Sequence, residues 1–215
     1  MADDIVLTQE EQVEQTKQWL KKNLPSIFIG LALGIALVYG YTNYKDSKIE
    51  KTAKASALFE NILSSENPEE QAAEKVLEFK NDYSFTPYVA KIALLNAKHL
   101  VQQGNISGAI EEYQWIESNS TEELVASVAK LRQAELLVSE GMYDQAEKII
   151  SETPPVGFES NYFELKGDVA AAKNDYELAK QHYDEALKNA NPQLGYSTYL
   201  LFKINNINSL SKSKS

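Results

Sequence analysis

Between Lys22 and Lys45 the chain runs through 22 residues, 23–44, with no Asp, Glu, Lys, Arg or His. Its centre reads Ile27-Phe28-Ile29-Gly30-Leu31-Ala32-Leu33-Gly34-Ile35-Ala36-Leu37-Val38-Tyr39-Gly40-Tyr41. As a helix rising ~1.5 Å per residue, this window covers about 33 Å, enough for the ~30 Å hydrocarbon layer of a bilayer. Tyr39, Tyr41 and Tyr44 gather at one end and Trp19 precedes the other, where interfacial aromatics belong. A signal peptide needs a short basic start and a small-residue cleavage site. Here 22 residues precede the window, five of them acidic, and Tyr-Gly-Tyr-Thr-Asn-Tyr closes it. The window therefore predicts an uncleaved membrane helix at 23–44, behind an N-terminal segment at 1–22. A buried core helix is the competing reading, but such helices rarely lack polar residues on every face.

Orientation does not follow from charge. Lys17, Lys21 and Lys22 precede the span, and Lys45, Lys48, Lys51 and Lys54 come after it. Three against four leaves the positive-inside rule undecided. The basic stretch after the span suits either lipid headgroups or a solvated helix start. Gly30 and Gly34 form a G-x-x-x-G step, which permits close approach of a second membrane helix. They read either as a helix-contact face or as glycines tolerated in the span.

The soluble remainder is acidic and helical. The chain has 21 Lys+Arg against 31 Asp+Glu, a formal charge of −10, which argues against nucleic acid as a partner. It has no cysteine, so disulfides, thiolate metal sites and thioester-linked lipids are excluded. Nine Gly and six Pro in 215 residues is a low count of helix breakers. Within it a repeat is visible. Phe163, Gly167, Ala179, Tyr183 and Ala186 have the spacing of the aromatic, small, Ala, aromatic and Ala positions of a tetratricopeptide repeat. The small residue of the first helix recurs as Ala97, Ala134 and Gly167, and the alanine of the second as Ala109, Ala146 and Ala179. Both series step by 37 and then 33, around the ~34-residue period of that repeat. Small residues let paired helices approach closely, and the second alanine receives the next repeat.

The turns Gly104-Asn105, Gly141-Met142-Tyr143 and Asn174-Asp175-Tyr176 fall just before each second helix. Pro87 suits a first helical position, and Ser120-Thr121-Glu122-Glu123 reads as a capping box. The pattern predicts an all-α chain: one membrane helix, then a tetratricopeptide-like α-solenoid over 45–210. Its helices fall at 46–65, 68–80, 87–103, 106–118, 121–140, 142–152, 159–173, 175–190 and 194–209. Residues 45–80 fit the repeat poorly, with Ala72 a candidate equivalent of Ala109. The last helix caps the stack, and 211–215, alternating Ser and Lys, reads as a disordered tail.

Catalytic chemistry is not written in this sequence. His99 and His182 are 83 residues apart, and no G-x-S-x-G, Walker or G-x-G-x-x-G pattern occurs. Glu69-Glu70, Glu111-Glu112 and Glu122-Glu123 lie early in helices, where the macrodipole favours carboxylates, and read as solvated faces. No cofactor or metal is implied. An enzyme built from scattered carboxylates would need a deep cleft with convergent acids of shifted pKa.

The whole order of features resembles the YfgM-like family of ancillary SecYEG translocon subunits. The likeness is carried by the lead-in Val13-Glu14-Gln15-Thr16-Lys17-Gln18-Trp19-Leu20-Lys21-Lys22-Asn23, the Gly-spaced span, and the exit Tyr44-Lys45-Asp46. It continues in Ala55-Ser56-Ala57-Leu58-Phe59, Tyr88-Val89-Ala90-Lys91-Ile92-Ala93-Leu94 and Lys203-Ile204-Asn205-Asn206-Ile207. The resemblance implies a bitopic bacterial inner-membrane protein with a cytoplasmic N-terminus and a periplasmic tetratricopeptide-like domain. The partners it implies are the SecYEG translocon, a membrane-anchored periplasmic chaperone and exported client proteins, with membrane lipid around the span. A membrane-tethered adaptor in another envelope assembly process is the alternative.

In tetratricopeptide domains the first helix of each pair lines the concave groove. Carried over, that pattern implies Lys91, Leu94, Lys98, Val101 and Gln102 in one copy. The next copy offers Val128, Leu131, Glu135, Val138 and Ser139, and the third Asn161, Glu164, Asp168, Ala171 and Ala172. The competing reading buries Leu94, Val101, Leu131 and Val138 between helices. If the pattern holds, the groove is basic at one end, from Lys91 and Lys98, and acidic at the other, from Glu135, Glu164 and Asp168.

Overall fold

The computed structural model describes residues 9–191 and 195–214, and every regular element among them is an α-helix. The elements are α1 (Gln9–Leu63), α2 (Pro68–Asp82), α3 (Tyr88–Gln102), α4 (Ile106–Asn119), α5 (Glu123–Ser139), α6 (Tyr143–Ile150), α7 (Glu159–Ala172), α8 (Tyr176–Asn189) and α9 (Tyr196–Lys214). The chain divides between Lys54 and Ala55 into two compact units.

The first unit is the helix up to Lys54. Its apolar window has a mean hydropathy of 1.8 with none of it buried, and it is long and apolar enough to cross a membrane. The core-helix reading fails here, because Phe28, Ile29, Leu37 and Val38 are all more than half exposed. Polar side chains at its margins bond back to the helix. Asn23 Nδ2 donates to the Trp19 carbonyl and Thr42 Oγ1 to that of Tyr39, which satisfies them without water. Pro25 sits inside α1 and withholds one backbone donor.

The sequence separates the span from a helix at 46–65, whereas α1 runs unbroken to Leu63. Residues 45–63 contain neither Gly nor Pro, and Glu50 and Lys54 pair at 2.8 Å one turn apart, so nothing stops the helix.

In the second unit consecutive helices pack as antiparallel pairs. α3 with α4, α5 with α6 and α7 with α8 form three repeats, and α3, α5 and α7 stand side by side. One turn closes each pair. Asn105, Met142 and Asp175 donate backbone N–H bonds to the carbonyls of Leu100, Leu137 and Ala170, while Gly104, Gly141 and Asn174 donate to Val101, Val138 and Ala171. This is a Schellman closure made three times, with Gly104, Gly141 and Asn174 all at positive φ. Asn105 and Asp175 then cap the second helices by accepting from the amides of Gly108 and Leu178.

The repeated small residues lie where packing needs them. Ala97, Ala134, Ala109, Ala146 and Ala179 are fully buried, as is Ala72. Gly167 faces the ring of Tyr183 so closely that a Cβ there would stand 2.4 Å from a ring carbon. Ser160 Oγ donates to the Ala186 carbonyl at 2.7 Å, tying α7 to α8 inside the core.

Several local expectations are corrected. Ser120 does not form a capping box: its Oγ accepts from the Glu122 amide, an ST turn, and α5 begins at Glu123 without a side-chain cap. Pro87 lies one residue before α3, at its N-cap. Glu112 is no solvated face; it is buried and accepts from Lys80 Nζ at 2.8 Å, with Lys80 over the Trp115 ring. α9 continues through Lys214, past Ser211 where the sequence places a disordered tail. Ser211 Oγ donates to the Asn208 carbonyl there. Ser215 lies outside the described residues.

Candidate functional site

The face made by α3, α5 and α7 holds two chambers. The first is about 620 Å³ and is walled by Phe59 and Leu63 from the end of α1, Lys91, Leu94, Leu95 and Lys98 from α3, Tyr113 from α4, and Val128 and Arg132 from α5. The second is about 330 Å³ and is walled by Arg132, Glu135, Val138 and Ser139 from α5, Asn161, Glu164, Leu165 and Asp168 from α7, and Tyr199 and Lys203 from α9. Arg132, the only arginine in the chain, borders both.

The chambers sort the residues named from the sequence. Lys91, Leu94 and Lys98 line the first; Glu135, Asn161, Glu164 and Asp168 line the second. Leu131 lines neither. It is buried with Ala134, Leu137 and Tyr162, because its side chain turns from the groove into the core between α5 and α7.

The charges named from the sequence have partners within the chain. Lys98 pairs with Glu69 at 2.5 Å, Lys91 with Glu122 at 3.8 Å and Arg132 with Glu135 at 2.6 Å. Lys98 holds the Glu69 carboxyl below the usual range by its hydrogen bond.

In the second chamber Lys203 Nζ donates to Glu164 Oε1 at 2.5 Å and to both Asp168 oxygens at 2.6 and 2.8 Å. Tyr196 donates its hydroxyl to Glu164 and Tyr183 to Asp168, the latter at 2.7 Å. Lys203 also lies over the rings of Tyr183 and Tyr199.

Burial raises the Glu164 pKa, against the opposing pull of Lys203. Burial alone would lower the Lys203 pKa, but hydrogen bonds to Asp168 and Glu164 raise it. Tyr183 is raised by burial and by its bond to Asp168, which keeps the phenol protonated as a donor. The convergent acids are thus held by an ammonium and two phenols, as in a structural ion cluster.

The sequence does not single out Lys203, Tyr196, Tyr199 or Arg132 as groove residues. A usable signal is nonetheless present: Lys203 lies 35 residues after Asp168 and 39 after Glu164, and Tyr196 lies 32 after Glu164. Opposite charges about one repeat period apart fall on neighbouring helices of a solenoid.

In the first unit Gly30 and Gly34 border a shallow groove of about 510 Å³ with Leu31, Ile35, Val38, Tyr39 and Thr42. A Cβ at either glycine would meet no atom within 4 Å.

These features define an apolar, membrane-length helix joined to a repeat solenoid whose helices pair as in tetratricopeptide proteins. The model of the tetratricopeptide repeat-like domain family matches residues 17–209, and the chain belongs to that family. It is similar to proteins named ancillary SecYEG translocon subunit in several bacteria, as the resemblance to the YfgM-like family implies. The Haemophilus influenzae protein is 26% identical over 84% of this chain and 89% of its own. For Escherichia coli the values are 25%, 95% and 98%, and for Neisseria gonorrhoeae 23%, 85% and 88%. No solved structure matches the chain.

Proposed function

We propose that this chain is a membrane-anchored, non-enzymatic interaction subunit of the Sec translocon that assists handover of exported proteins to a membrane-anchored periplasmic chaperone. The observation that carries this reading is its end-to-end likeness to ancillary SecYEG translocon subunits, 95% of this chain against 98% of the Escherichia coli protein. Such coverage takes in both the membrane-length helix and the solenoid. The helix at 23–44 spans the inner membrane with residues 1–22 in the cytoplasm and the solenoid in the periplasm. Gly30 and Gly34 form its contact face for a neighbouring membrane helix, where absent side chains allow backbones to approach. Confinement at the exit site raises the effective concentration of a weakly binding solenoid, so modest affinity suffices.

The test is recovery of the tagged full chain from its own membranes in mild detergent, with quantitative mass spectrometry of the eluate. SecYEG subunits and a membrane-anchored periplasmic chaperone are the expected companions, enriched over an unrelated tagged single-span protein. Recovery with a different envelope machine and without SecYEG would overturn the reading in favour of an adaptor elsewhere.

A further inference from the structure

The outer face of the capping helix differs from every other outer face of the solenoid. The exposed positions of α2, α4, α6 and α8 include Glu74, Glu111, Asp144 and Glu177. Among the described residues, α9 exposes no charged side chain between Thr198 and Leu210. The one charged residue in that stretch, Lys203, turns inward to Glu164 and Asp168. What α9 turns outward instead is Tyr199, Leu201 and Phe202, the last 69% exposed, with Asn205 and Asn206 beside them. Phe202, Asn205, Asn206 and Ser209 follow the spacing of one helix face. A terminal repeat ordinarily shows solvent a polar outer face, and adjoining exposed apolar residues mark a contact surface.

Two properties of this face select its occupant. The first is neutrality. The chain carries a formal charge of −10, so two copies repel one another over most of their surface. At α9 they can approach without opposing carboxylates. The second is self-complementarity. The side-chain amides of Asn205 and Asn206 are exposed and have no hydrogen-bond partner among the described residues. Each amide both donates and accepts, so it can pair with its own copy, whereas an ammonium or a carboxylate meeting its own copy is repelled.

We propose that the outer face of α9 pairs antiparallel with α9 of a second copy of this chain, about a two-fold axis near Asn205 and Asn206. Asn206 of one copy then meets Asn205 of the other. Leu201 and Phe202 of each lie over Leu210 and Ser209 of its mate, which covers the apolar patch. The contact runs about 18 Å along the helix, from Thr198 to Leu210. One helix face is a small interface, so the dimer is weak and depends on concentration. This self-association is independent of which membrane machine the chain joins.

The test uses the full chain in mild detergent, with micelles in excess over protein. The chain has no cysteine, so Asn206→Cys gives a single thiol beside the axis. A short bismaleimide is expected to join two copies of Asn206→Cys, and to leave Gln181→Cys, exposed on α8, monomeric. By light scattering the unaltered chain is expected to gain mass towards a dimer as its concentration rises. Asn206→Asp and Asn206→Lys are each expected to weaken that association about tenfold or more, through like charges facing across the axis. An equal mixture of the two is expected to restore it, a recovery that no folding defect gives. Gly34→Ile is expected to leave the dimer intact.

A monomer at every concentration would overturn the proposal. So would a dimer that survives Asn206→Asp and is lost in Gly34→Ile, because the membrane helices would then make the contact. Failure of the mixture to recover would overturn it as well. Recovery of SecYEG subunits is measured separately and is unaffected by either result.

Discussion

The chamber between α5 and α7 and the chamber between α3 and α5 are built from the same repeat, yet the former is walled by the capping helix α9 and the latter by the end of α1. In the former, Lys203 is 16% exposed and its carboxylate partners 13% and 24%. In the latter, Lys98 and Arg132 remain more than half exposed, although their partners Glu69 and Glu135 are 20% and 35% exposed. One repeat geometry thus carries a largely buried ion cluster at one end and more exposed ion pairs at the other. The difference lies in the neighbours that the chain supplies to each chamber. One period after α7 a capping helix brings in a basic residue, whereas the acids nearest the first chamber sit at its margins. Terminal repeats of solenoids need such a cap to finish the stack.

The largest expected effect comes from breaking the buried cluster. Lys203→Met leaves Glu164 and Asp168 partly buried without their cation and is expected to cost about 3 kcal/mol, on the order of 6–12 °C in Tm. Lys98→Gln removes a solvated pair and is expected to stay within about 0.5 kcal/mol. Thermal melts of both variants in the same detergent make the comparison, and equal losses would erase the distinction between the chambers.

A smaller and subtler difference lies in pH. The Glu164 pKa is raised in the folded chain, so its contribution to stability is present below the ordinary carboxylate range and is lost as pH rises through the folded value. The Glu69 pKa is lowered by Lys98, so its contribution is present above that range and is lost as pH falls through the folded value. The Tm of the native chain minus that of Glu164→Gln should therefore fall as pH rises from below the carboxylate range towards neutrality. The same difference for Glu69→Gln should rise. Slopes of one sign would show that the two carboxylates share an environment.

The fold is largely legible in the sequence because it is periodic. Small residues at 97, 134 and 167 and alanines at 109, 146 and 179 mark packing contacts that recur, and Gly104, Gly141 and Asn174 mark turns that close identically. Helix limits read from the sequence accordingly lie near those observed for α2 to α8.

The illegible part depends on neighbours brought together only by stacking. Glu112 reads as a surface acid until Lys80, 32 residues earlier, is placed against it under Trp115. Leu131 shares the helix spacing of the groove positions but points into the core, since spacing defines a face and not which neighbour covers it. The periodicity assigns the groove charges to their helices but not to their partners. Glu69 lies 29 residues before Lys98, on the preceding helix, and Lys203 lies beyond α7 on the capping helix. The groove is therefore less charged than α3, α5 and α7 alone suggest.

The central claim is that α9 finishes the stack by fixing Lys203 between Glu164 and Asp168 of α7, whereas the pair of Lys98 with Glu69 holds nothing comparable. Hydrogen exchange of the native chain, Lys203→Met and Lys98→Gln in the same micelles measures this most directly. Residues 161–168 and 196–203 are expected to exchange slowly in the native chain and in Lys98→Gln, and markedly faster in Lys203→Met. Rapid exchange of α9 in the native chain, or equal effects of the two substitutions on α7 and α9, would contradict it.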